Sequence, residues 1–472
     1  MPNSTFYILH SKFNRIFSIA IIIILLMLIS SCDKSTSPKT GSISGTVVLL
    51  NDSSNPDNNP IDFSGVTVTL YSTTVVDTAL FRINVEYPQI GVQVGQQTEF
   101  DHTMQSHISS TTTDSEGNYD LQSVAEGSYN LVFSKAGYGW RYEYNVEINK
   151  VINDTLFTET TLDLVYYEQL LLKRNRHYLI PRSLTVGTLE VEGNCWVRYK
   201  NEAVLMVVSN IITKKDEYSY FISESMLSQG CLLLNTIGNV EMEYLVFRRM
   251  TEAIKIVNST ATISHMRFHD CGISVNSGNS EFSLKNITAD KSDNTSNILE
   301  TDSSIYILDS SVLIGSYIAV DSRNTSEGII KHSFIRSQQC AYLDAYTVTK
   351  IQNCQLEAAE YAIKSMQSYL VQILDSNIVG YRGIFIRLPK ITSSNCINGN
   401  NIYTASYALE NSPNIHIQYQ DYYFNAKNNY FNTTDVADIE AKVFDLYDQP
   451  TWYLFNFDYT PFRTSANPAA GI

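Results

Sequence analysis

The sequence predicts an all-β fold: a small antiparallel β-sandwich, then a right-handed parallel β-helix solenoid with a short C-terminal capping helix. Two observations lead to this prediction. Short segments between residues 42 and 150 alternate apolar and polar residues with the period of two that half-buried strands show. From about residue 184 onward, apolar marks recur about every 22 residues without a helical period, and a repeat of this length fits a β-helix.

The N-terminal segment has the order of a secretory signal. Lys12 and Arg15 precede an apolar run from Ile16 to Ile29, and small residues follow it. A run of 14 residues is short for a transmembrane helix, which needs roughly 20. The sequence therefore predicts export of the chain that follows, with an uncleaved anchor as the alternative.

The signal ends at a cysteine. Ile29-Ser30-Ser31-Cys32 resembles the lipobox of bacterial lipoproteins, in which the signal is removed and the cysteine is acylated. The resemblance implies a signal peptide of residues 1–31, a lipidated Cys32 and a flexible tether through residue 41. The implied partner is a lipid bilayer that holds the acylated Cys32. The implied location is the bacterial cell envelope, where the protein is lipid-anchored to a membrane; the choice of membrane stays open, with the outer membrane and the cell surface among the alternatives.

Charge and cysteine content narrow the class of protein. The formal charge is −15, and removal of Lys12 and Arg15 with the signal makes it −17. No basic block is present, so we expect no nucleic-acid partner, because phosphate binding needs clustered Lys and Arg. Six further cysteines lack C-x-x-C spacing and are expected to be buried free thiols, with disulfide pairing as the alternative in an exported chain: Cys195, Cys231, Cys271, Cys340, Cys354 and Cys396.

Residues 42–150 are predicted to form the sandwich. Ser42 to Val47 and Val66 to Leu70 alternate as half-buried strands do. The turn that ends at Gly117 leads into several more short strands. Such a succession of antiparallel strands is typical of a small two-layer domain.

The same segment repeats a known pattern through Gly65-Val66, Asp114, Gly117, Tyr119, Gly127, Tyr129 and Gly137-Tyr138. In these residues it resembles the carboxypeptidase regulatory-like domain. That family is non-catalytic, so the resemblance implies a spacer or an interaction module. The departure from the pattern is an insertion over residues 72–110. Its Asp101, His102 and His107 are of metal-binding types, but we expect a solvated loop there.

The solenoid is predicted over residues 165–435, with room for roughly eleven coils between Leu184 and Tyr430. A leucine-rich repeat has a similar length, but its L-x-x-L-x-L signature is absent. One apolar residue marks each unit: Phe247, Phe268, Ile287, Val312, Phe334, Leu356, Ile378, Ile402 and Tyr430.

Residues 436–472 are predicted to form the cap and tail. Asn428-Asn429-Tyr430, then Ile439 to Asp445, then Asp458-Tyr459-Thr460-Pro461-Phe462 resemble the end of bacterial right-handed β-helix (pectin lyase-like) repeat proteins. The resemblance implies a short helix around Ile439 to Asp445 that covers the core. Such a lid protects strand edges that would otherwise recruit other chains.

The candidate catalytic residues are Arg248, Arg267 and His269. If Phe268 points inward, Arg267 and His269 flank it and point outward, and Arg248 lies beside His269 one coil earlier. Cations there suit an anionic sugar or the charge that develops in a lyase reaction. An ordinary solvent-exposed face is the alternative, which we favour because motif-free His and Arg seldom indicate catalysis.

A calcium site is the candidate for a cofactor. Asp290, Asp293, Glu300 and Asp302 occur within one polar stretch, and oxygen-rich loops suit a hard cation. Their spacing matches no calcium loop, so a polar bulge is the alternative, and we expect no other cofactor.

Two functions remain open at this point. The first is a lipid-anchored envelope protein whose β-helix is a binding or structural surface for glycans or proteins. The second is a polysaccharide lyase or glycoside hydrolase acting on acidic glycans along the β-helix groove. The sequence favours the first, because no pair of coils shows a dense constellation of Asp, Arg and Lys.

Overall fold

The structure, a computed structural model, describes residues 39–472 except 52–58, 76–77, 93, 201, 225–229, 237, 292–294, 388–392, 412–422, 446–447 and 449–454. The predicted signal peptide, Cys32 and most of the tether lie outside the described residues. Asp293, one of the candidate calcium ligands, also lies outside them.

The sandwich consists of two antiparallel-dominated sheets, as predicted. In one, β1 pairs with β4 and with two short parallel strands, β7 and β8; in the other, the order is β3-β2-β5-β6. The strand bounds are β1 Thr40–Leu50, β2 Thr67–Ser72, β3 Ser109–Thr112, β4 Asn118–Ala125, β5 Ser128–Ser134, β6 Trp140–Glu147, β7 Lys150–Val151 and β8 Asp154–Phe157.

The predicted turn before β4 depends on Gly117. Its φ is +85°, and a Cβ at this position would lie 2.3 Å from the carbonyl oxygen of Val47. Only glycine tolerates both the left-handed backbone and the close approach. Val47 and Leu121 then reach the interior of the sandwich, where they pack with Val68 and Phe133.

The insertion between β2 and β3 is not a solvated loop. It contains the helices α1 (Thr78–Glu86) and α2 (Gln96–Glu99) and two 3-10 turns, Pro88–Ile90 and His102–Met104. Leu80, Ile83 and Ile90 are buried against the solenoid residues Val312 and Phe334. We call residues 78–104 the strap, because they run along the side of the solenoid.

The solenoid has about 11 turns, in agreement with the predicted number of coils. Its strands form three parallel ladders in which each strand pairs with the strand of the next coil. Ladder 1 consists of Asn239–Glu243, Thr260–Ser264, Glu281–Lys285, Ile305–Asp309, Glu327–Lys331, Val348–Gln352, Leu370–Leu374, Cys396–Asn398, Tyr423–Asn425 and Asn456–Asp458.

Ladders 2 and 3 share three bent strands, Phe334–Asp344, Gln355–Met366 and Asn377–Arg387. The other strands of ladder 2 are Thr160–Thr161, His177–Ile180, Trp196–Tyr199, Ser219–Ser223, Leu245–Arg248, Arg267–His269, Thr288–Asp290, Val312–Ile314 and Asn401–Thr404. Those of ladder 3 are Tyr166–Leu172, Leu184–Val191, Val204–Thr213, Cys231–Leu234, Glu252–Val257, Ile273–Gly278, Leu299–Asp302, Ile318–Arg323, Leu409–Asn411 and Val443–Phe444.

Stacked side chains fill the solenoid. The rings of Phe221, Phe247 and Phe268 lie over one another on successive coils, with centroids 5.3 Å apart. Serines occupy the corners, and the backbone N–H of Ser280 donates to Oγ of Ser304 on the next coil at 3.2 Å. Burial of these polar corners is tolerated where, as here, the hydroxyl has a hydrogen-bond partner.

Several of the apolar residues that were predicted to mark the core of each coil lie one or two positions away from the residue that occupies the equivalent core position in the ladder. Phe247 and Phe268 pair with Ala289, so Ile287 is not the matching core residue. Val312 and Phe334 point outward and are buried by the strap rather than by the core. The strap packs on this outer face, so apolar residues occur on both faces of these strands. The alternation of apolar and polar residues that would distinguish the inner face from the outer face is therefore lost there.

The end of the solenoid is capped by α3 (Val436–Glu440), which is shorter than the helix expected around Ile439 to Asp445. Asp435 caps α3 by accepting hydrogen bonds from two backbone N–H groups. Ile439 is fully buried. The residues after α3 also extend the ladders, since Val443–Phe444 and Asn456–Asp458 add strands to ladders 3 and 1.

The six cysteines beyond Cys32 are free in the structure, and all but Cys396 are buried. They pack as small apolar residues, as expected. Burial raises the pKa of Cys271 and Cys354 to about 12, so these thiols are unreactive at neutral pH.

Candidate functional site

The candidate residues Arg248, Arg267 and His269 lie on the outer face of ladder 2. Arg248 pairs in register with His269, and the rings of Phe247 and Phe268 point inward, as predicted. The expectation of a solvent-exposed face is wrong: both arginines are only 1 % exposed. The strap covers them, so a substrate cannot reach either guanidinium.

Arg267 lies at the centre of an ion-pair network. Its Nε and Nη2 donate to the two carboxylate oxygens of Glu99 at 2.7 and 2.8 Å, a bidentate geometry. Its Nη1 is 3.0 Å from Oδ1 of Asp290 on the next coil. His269 Nδ1 also lies 3.0 Å from Oδ1 of Asp290. The network therefore attaches the end of α2 to two coils of the solenoid.

The guanidinium group of Arg248 binds backbone carbonyl groups of the strap. Nη1 donates to the carbonyl oxygen of Phe100 at 2.8 Å, and Nη2 donates to that of Thr98 at 2.7 Å. The carboxylate of Asp101 lies 3.7 Å from Arg248 and 3.3 Å from Arg249. Burial opposes ionisation of Asp101, but the two guanidinium groups outweigh it and lower its pKa. These contacts make Arg248 a clamp for the strap.

The same network tests the metal predictions. Glu99, His269 and Asp290 each have a ligand-type atom, all within 4.8 Å of one another. Arg267 already supplies a positive charge to both carboxylates, so a divalent cation there would face strong repulsion. The arrangement fits a salt-bridge network better than a metal centre.

The candidate calcium residues are not brought together. Asp290 belongs to ladder 2, whereas Glu300 and Asp302 lie on Leu299–Asp302 in ladder 3. Glu300 accepts a hydrogen bond from Asn297, and Asp302 accepts one from Asn324. The linear sequence placed these residues near one another, but the chain turns a corner between them. The described members of this set therefore form no shared site.

Sequence reasoning missed Glu99 and Asp101 as the partners of the two arginines. Glu99 and Arg267 are 168 residues apart, so no local period connects them. The only signal was compositional: the insertion carries acidic residues, and the outer face of one coil carries arginines. Complementary charge on two segments is too common to predict a contact.

The pH dependence of this network follows from Asp290 and His269, whose pKa values are both shifted. Burial raises the pKa of Asp290, but Arg267 and His269 outweigh it and hold that pKa at about 2. Burial lowers the pKa of His269, but the hydrogen bond and charge of Asp290 outweigh it and raise that pKa. Stability from Asp290 is present above its unfolded pKa of about 3.9 and is lost as the pH falls toward 2.

Stability from His269 has the opposite sign. It is present below the unfolded pKa of about 6.5 and is lost as the pH rises through the folded value. We therefore expect the urea midpoint of the protein to fall between pH 5 and pH 8.5. His269→Gln should remove part of that fall, whereas His107→Gln, an exposed control in the insertion, should not. An identical pH profile in wild type and His269→Gln would contradict the assignment.

A second feature lies where the sandwich meets the solenoid. Strand β6 packs its aromatic residues against the first coils, and a cleft of about 290 Å³ remains beside the contact. The rings of Trp196 and Tyr220 stack at 3.9 Å, and Trp140 and Tyr142 meet Trp196 edge-on at 5.3 and 5.1 Å. We call this space the seam cleft. Its aromatic wall is formed by Trp140, Tyr142, Tyr144, Trp196, Tyr218 and Tyr220.

The seam cleft continues along the strap. A neighbouring hollow of about 500 Å³ shares Gln97, Tyr144 and Tyr218 with it and is bounded by residues of the strap. The hydroxyl of Tyr220 donates to the carbonyl oxygen of Gln97 at 2.6 Å, which fixes the strap at this point. Concave sites with aromatic walls and a few polar groups are where small ligands bind. No sequence signal pointed to this cleft, because its walls come from the strap, from β6 and from several separate stretches of the solenoid.

The fold and the cleft define a class of all-β protein that consists of a small β-sandwich and a parallel β-solenoid. The strap, which is an insertion in the sandwich, packs against the side of the solenoid. Among the residues that the structure describes, no helix is long and apolar enough to span a membrane. The chain matches no protein-family model and no curated protein.

Two solved structures show similarity to the chain. A family 28 exopolygalacturonase of Yersinia enterocolitica is 10% identical, over 79% of this chain and 92% of that one, with a TM-score of 0.29. The minor pilin GBS52 of Streptococcus agalactiae is 15% identical over 26% of this chain, with a TM-score of 0.14. The chain spans 44% of the length of that pilin. The β-helix assignment itself rests on the three parallel ladders.

Proposed function

We propose that this protein is an exported, lipid-anchored glycan-binding protein, and that the seam cleft holds the glycan. The observation that carries the proposal is the cleft, whose lining combines aromatic rings with hydrogen-bonding side chains. Sugar rings combine apolar C–H faces with hydroxyl groups. They are complementary to aromatic walls that carry polar groups.

The solenoid would serve as the rigid support of this site. Strand β6 packs on the coils that carry Trp196, Tyr220 and Val246, and the strap packs farther along the solenoid at Val312 and Phe334. The cleft is lined by β6, by Gln97 of the strap and by the solenoid. The lyase or hydrolase alternative loses two of its three candidate residues, because Arg248 and Arg267 are buried under the strap. We therefore favour binding over catalysis.

The first test is glycan binding by the mature lipid-anchored chain in detergent micelles. Trp140 and Trp196 line the cleft, so a bound glycan should change their fluorescence. Tyr218→Ala should weaken binding at least tenfold, because it removes one ring of the wall. Tyr381→Ala, a control on a tyrosine that is 53% exposed elsewhere on the solenoid, should bind as wild type does. Wild-type affinity in Tyr218→Ala would place the glycan elsewhere.

The second test concerns the anchor. The lipobox-like Ile29-Ser30-Ser31-Cys32 supports the proposal that Cys32 is acylated after signal cleavage, and two or more alkyl chains suffice for stable membrane binding. In a lipoprotein-processing bacterium, the full chain should incorporate a labelled fatty acid, and Cys32→Ser should abolish incorporation. Cys396→Ser is the matched control and should keep the label. A mature protein that retains residues 1–31 would favour the uncleaved anchor instead.

A further inference from the structure

The charges around the seam cleft indicate which glycans it accepts, and this inference rests on the proposed function. Two arginines, Arg141 and Arg174, and three carboxylates, Glu143, Asp216 and Glu217, line the cleft. At neutral pH their formal sum is one negative charge. Because the net formal charge of its lining is negative, the cleft does not attract anions.

Both arginines already have partners. Arg141 Nε lies 3.3 Å from Oδ1 of Asp154, and its Nη1 donates to Asn175 at 2.8 Å. Arg174 Nη2 lies 2.8 Å from Oε1 of Glu217. A ligand carboxylate would therefore have to share one of these guanidinium groups with the carboxylate that already holds it.

Glu143, by contrast, has unused acceptor capacity. Oε2 of Glu217 also accepts no hydrogen bond in the described structure, but it is buried out of reach of a ligand. Glu143 forms no salt bridge with any described residue, since Arg141 turns to Asp154. Burial raises the pKa of Glu143, and the nearby charge of Asp154 raises it further. Acceptors without donors are costly when buried, so a ligand that brings donors is favoured.

We infer that the seam cleft accepts uncharged, hydroxyl-rich glycans and rejects glycans that contain uronates. Sugar hydroxyls donate to Glu143, which has no ion-pair partner among the described residues. A uronate adds a negative charge beside three carboxylates, and both guanidinium groups of the lining are already paired, with Asp154 and Glu217. Like charges brought together across an interface exclude the wrong partner.

The test compares ligands on the mature lipid-anchored chain by tryptophan fluorescence. The neutral oligosaccharide with the highest affinity on a glycan array should bind at least tenfold more tightly than hexagalacturonate. Equal or tighter binding of hexagalacturonate would overturn the inference and leave the proposed function intact. Tenfold tighter binding of a chitosan hexamer would also overturn it, in favour of a cationic ligand. No binding of any glycan would overturn both proposals.

The variant Glu217→Gln distinguishes an effect on ligand charge from a general loss of structure, because only the former changes the affinities for charged and neutral glycans differently. It frees Arg174 from its carboxylate partner, so the affinity for hexagalacturonate should rise at least tenfold while the affinity for the neutral glycan changes less than fivefold. The matched control is Glu224→Gln, which also removes a carboxylate from an arginine, Arg198 at 3.0 Å, but outside the cleft. It should leave both affinities unchanged. An unchanged affinity for hexagalacturonate in Glu217→Gln would overturn the inference.

Discussion

Arg267→Met should lower the free energy of unfolding by about 3–5 kcal/mol, because it leaves two buried carboxylates without their shared cation. Glu99 and Asp290 both bind this guanidinium, at 2.7 and 3.0 Å. The side chain of Arg267 is 1% exposed, so water cannot replace it. Urea unfolding of the mature chain, followed by the fluorescence of Trp140 and Trp196 beside the strap, measures the change.

The control for Arg267 lies on the same outer face of ladder 2. Arg336 pairs with Glu357 at 2.6 Å, but both side chains are about 30% exposed. Arg336→Met should therefore cost less than about 1 kcal/mol, as surface ion pairs do. In a background of Glu99→Gln with Asp290→Asn, the cost of Arg267→Met should fall by at least half. Equal costs for the two arginines would show that the strap does not depend on the buried network.

Phe247→Ala should be as destabilising, at about 3–5 kcal/mol, because it opens a cavity in the stacked core. Phe247 is fully buried, and its ring lies 5.3 Å from both Phe221 and Phe268. A parallel solenoid cannot collapse around one missing ring, since every coil is held in register by its neighbours. The urea midpoint of the mature chain reports the loss.

Phe81 supplies the matched substitution. It lies on α1 of the strap and is 60% exposed, so Phe81→Ala removes the same side chain from a wet surface. We expect a change within about 0.5 kcal/mol, as for most surface substitutions. A small cost for Phe247→Ala would mean that the aromatic stack contributes little to the solenoid.

Much of the solenoid was predictable from local pattern. Phe247 and Phe268 were assigned to the core, Arg267 and His269 to the outside, and Arg248 to the side of His269, and the ladder confirms each position. A parallel β-helix repeats one short structural unit, so the length of that unit can be read from the spacing of apolar residues in the sequence. The number of coils followed from the same period.

The candidate site was less predictable. Arg248 and Arg267 were correctly placed outward, but whether an outward side chain meets water depends on what covers it. Val312 and Phe334 show the same limit in reverse, since they were assigned to the core and are in fact buried by the strap. Periodicity separates the two faces of a strand and carries no information about a second layer.

The sequence by itself determined the architecture: strands of period two, a coil of about 22 residues and an apolar interior. The tertiary structure decided that an inserted strap buries the arginine face and that the strap, β6 and the solenoid together line the seam cleft. The physical reason is the range of the interactions. Backbone pairing and side-chain alternation act between near neighbours, whereas Glu99 and Arg267 are 168 residues apart in the chain and meet only in the tertiary structure.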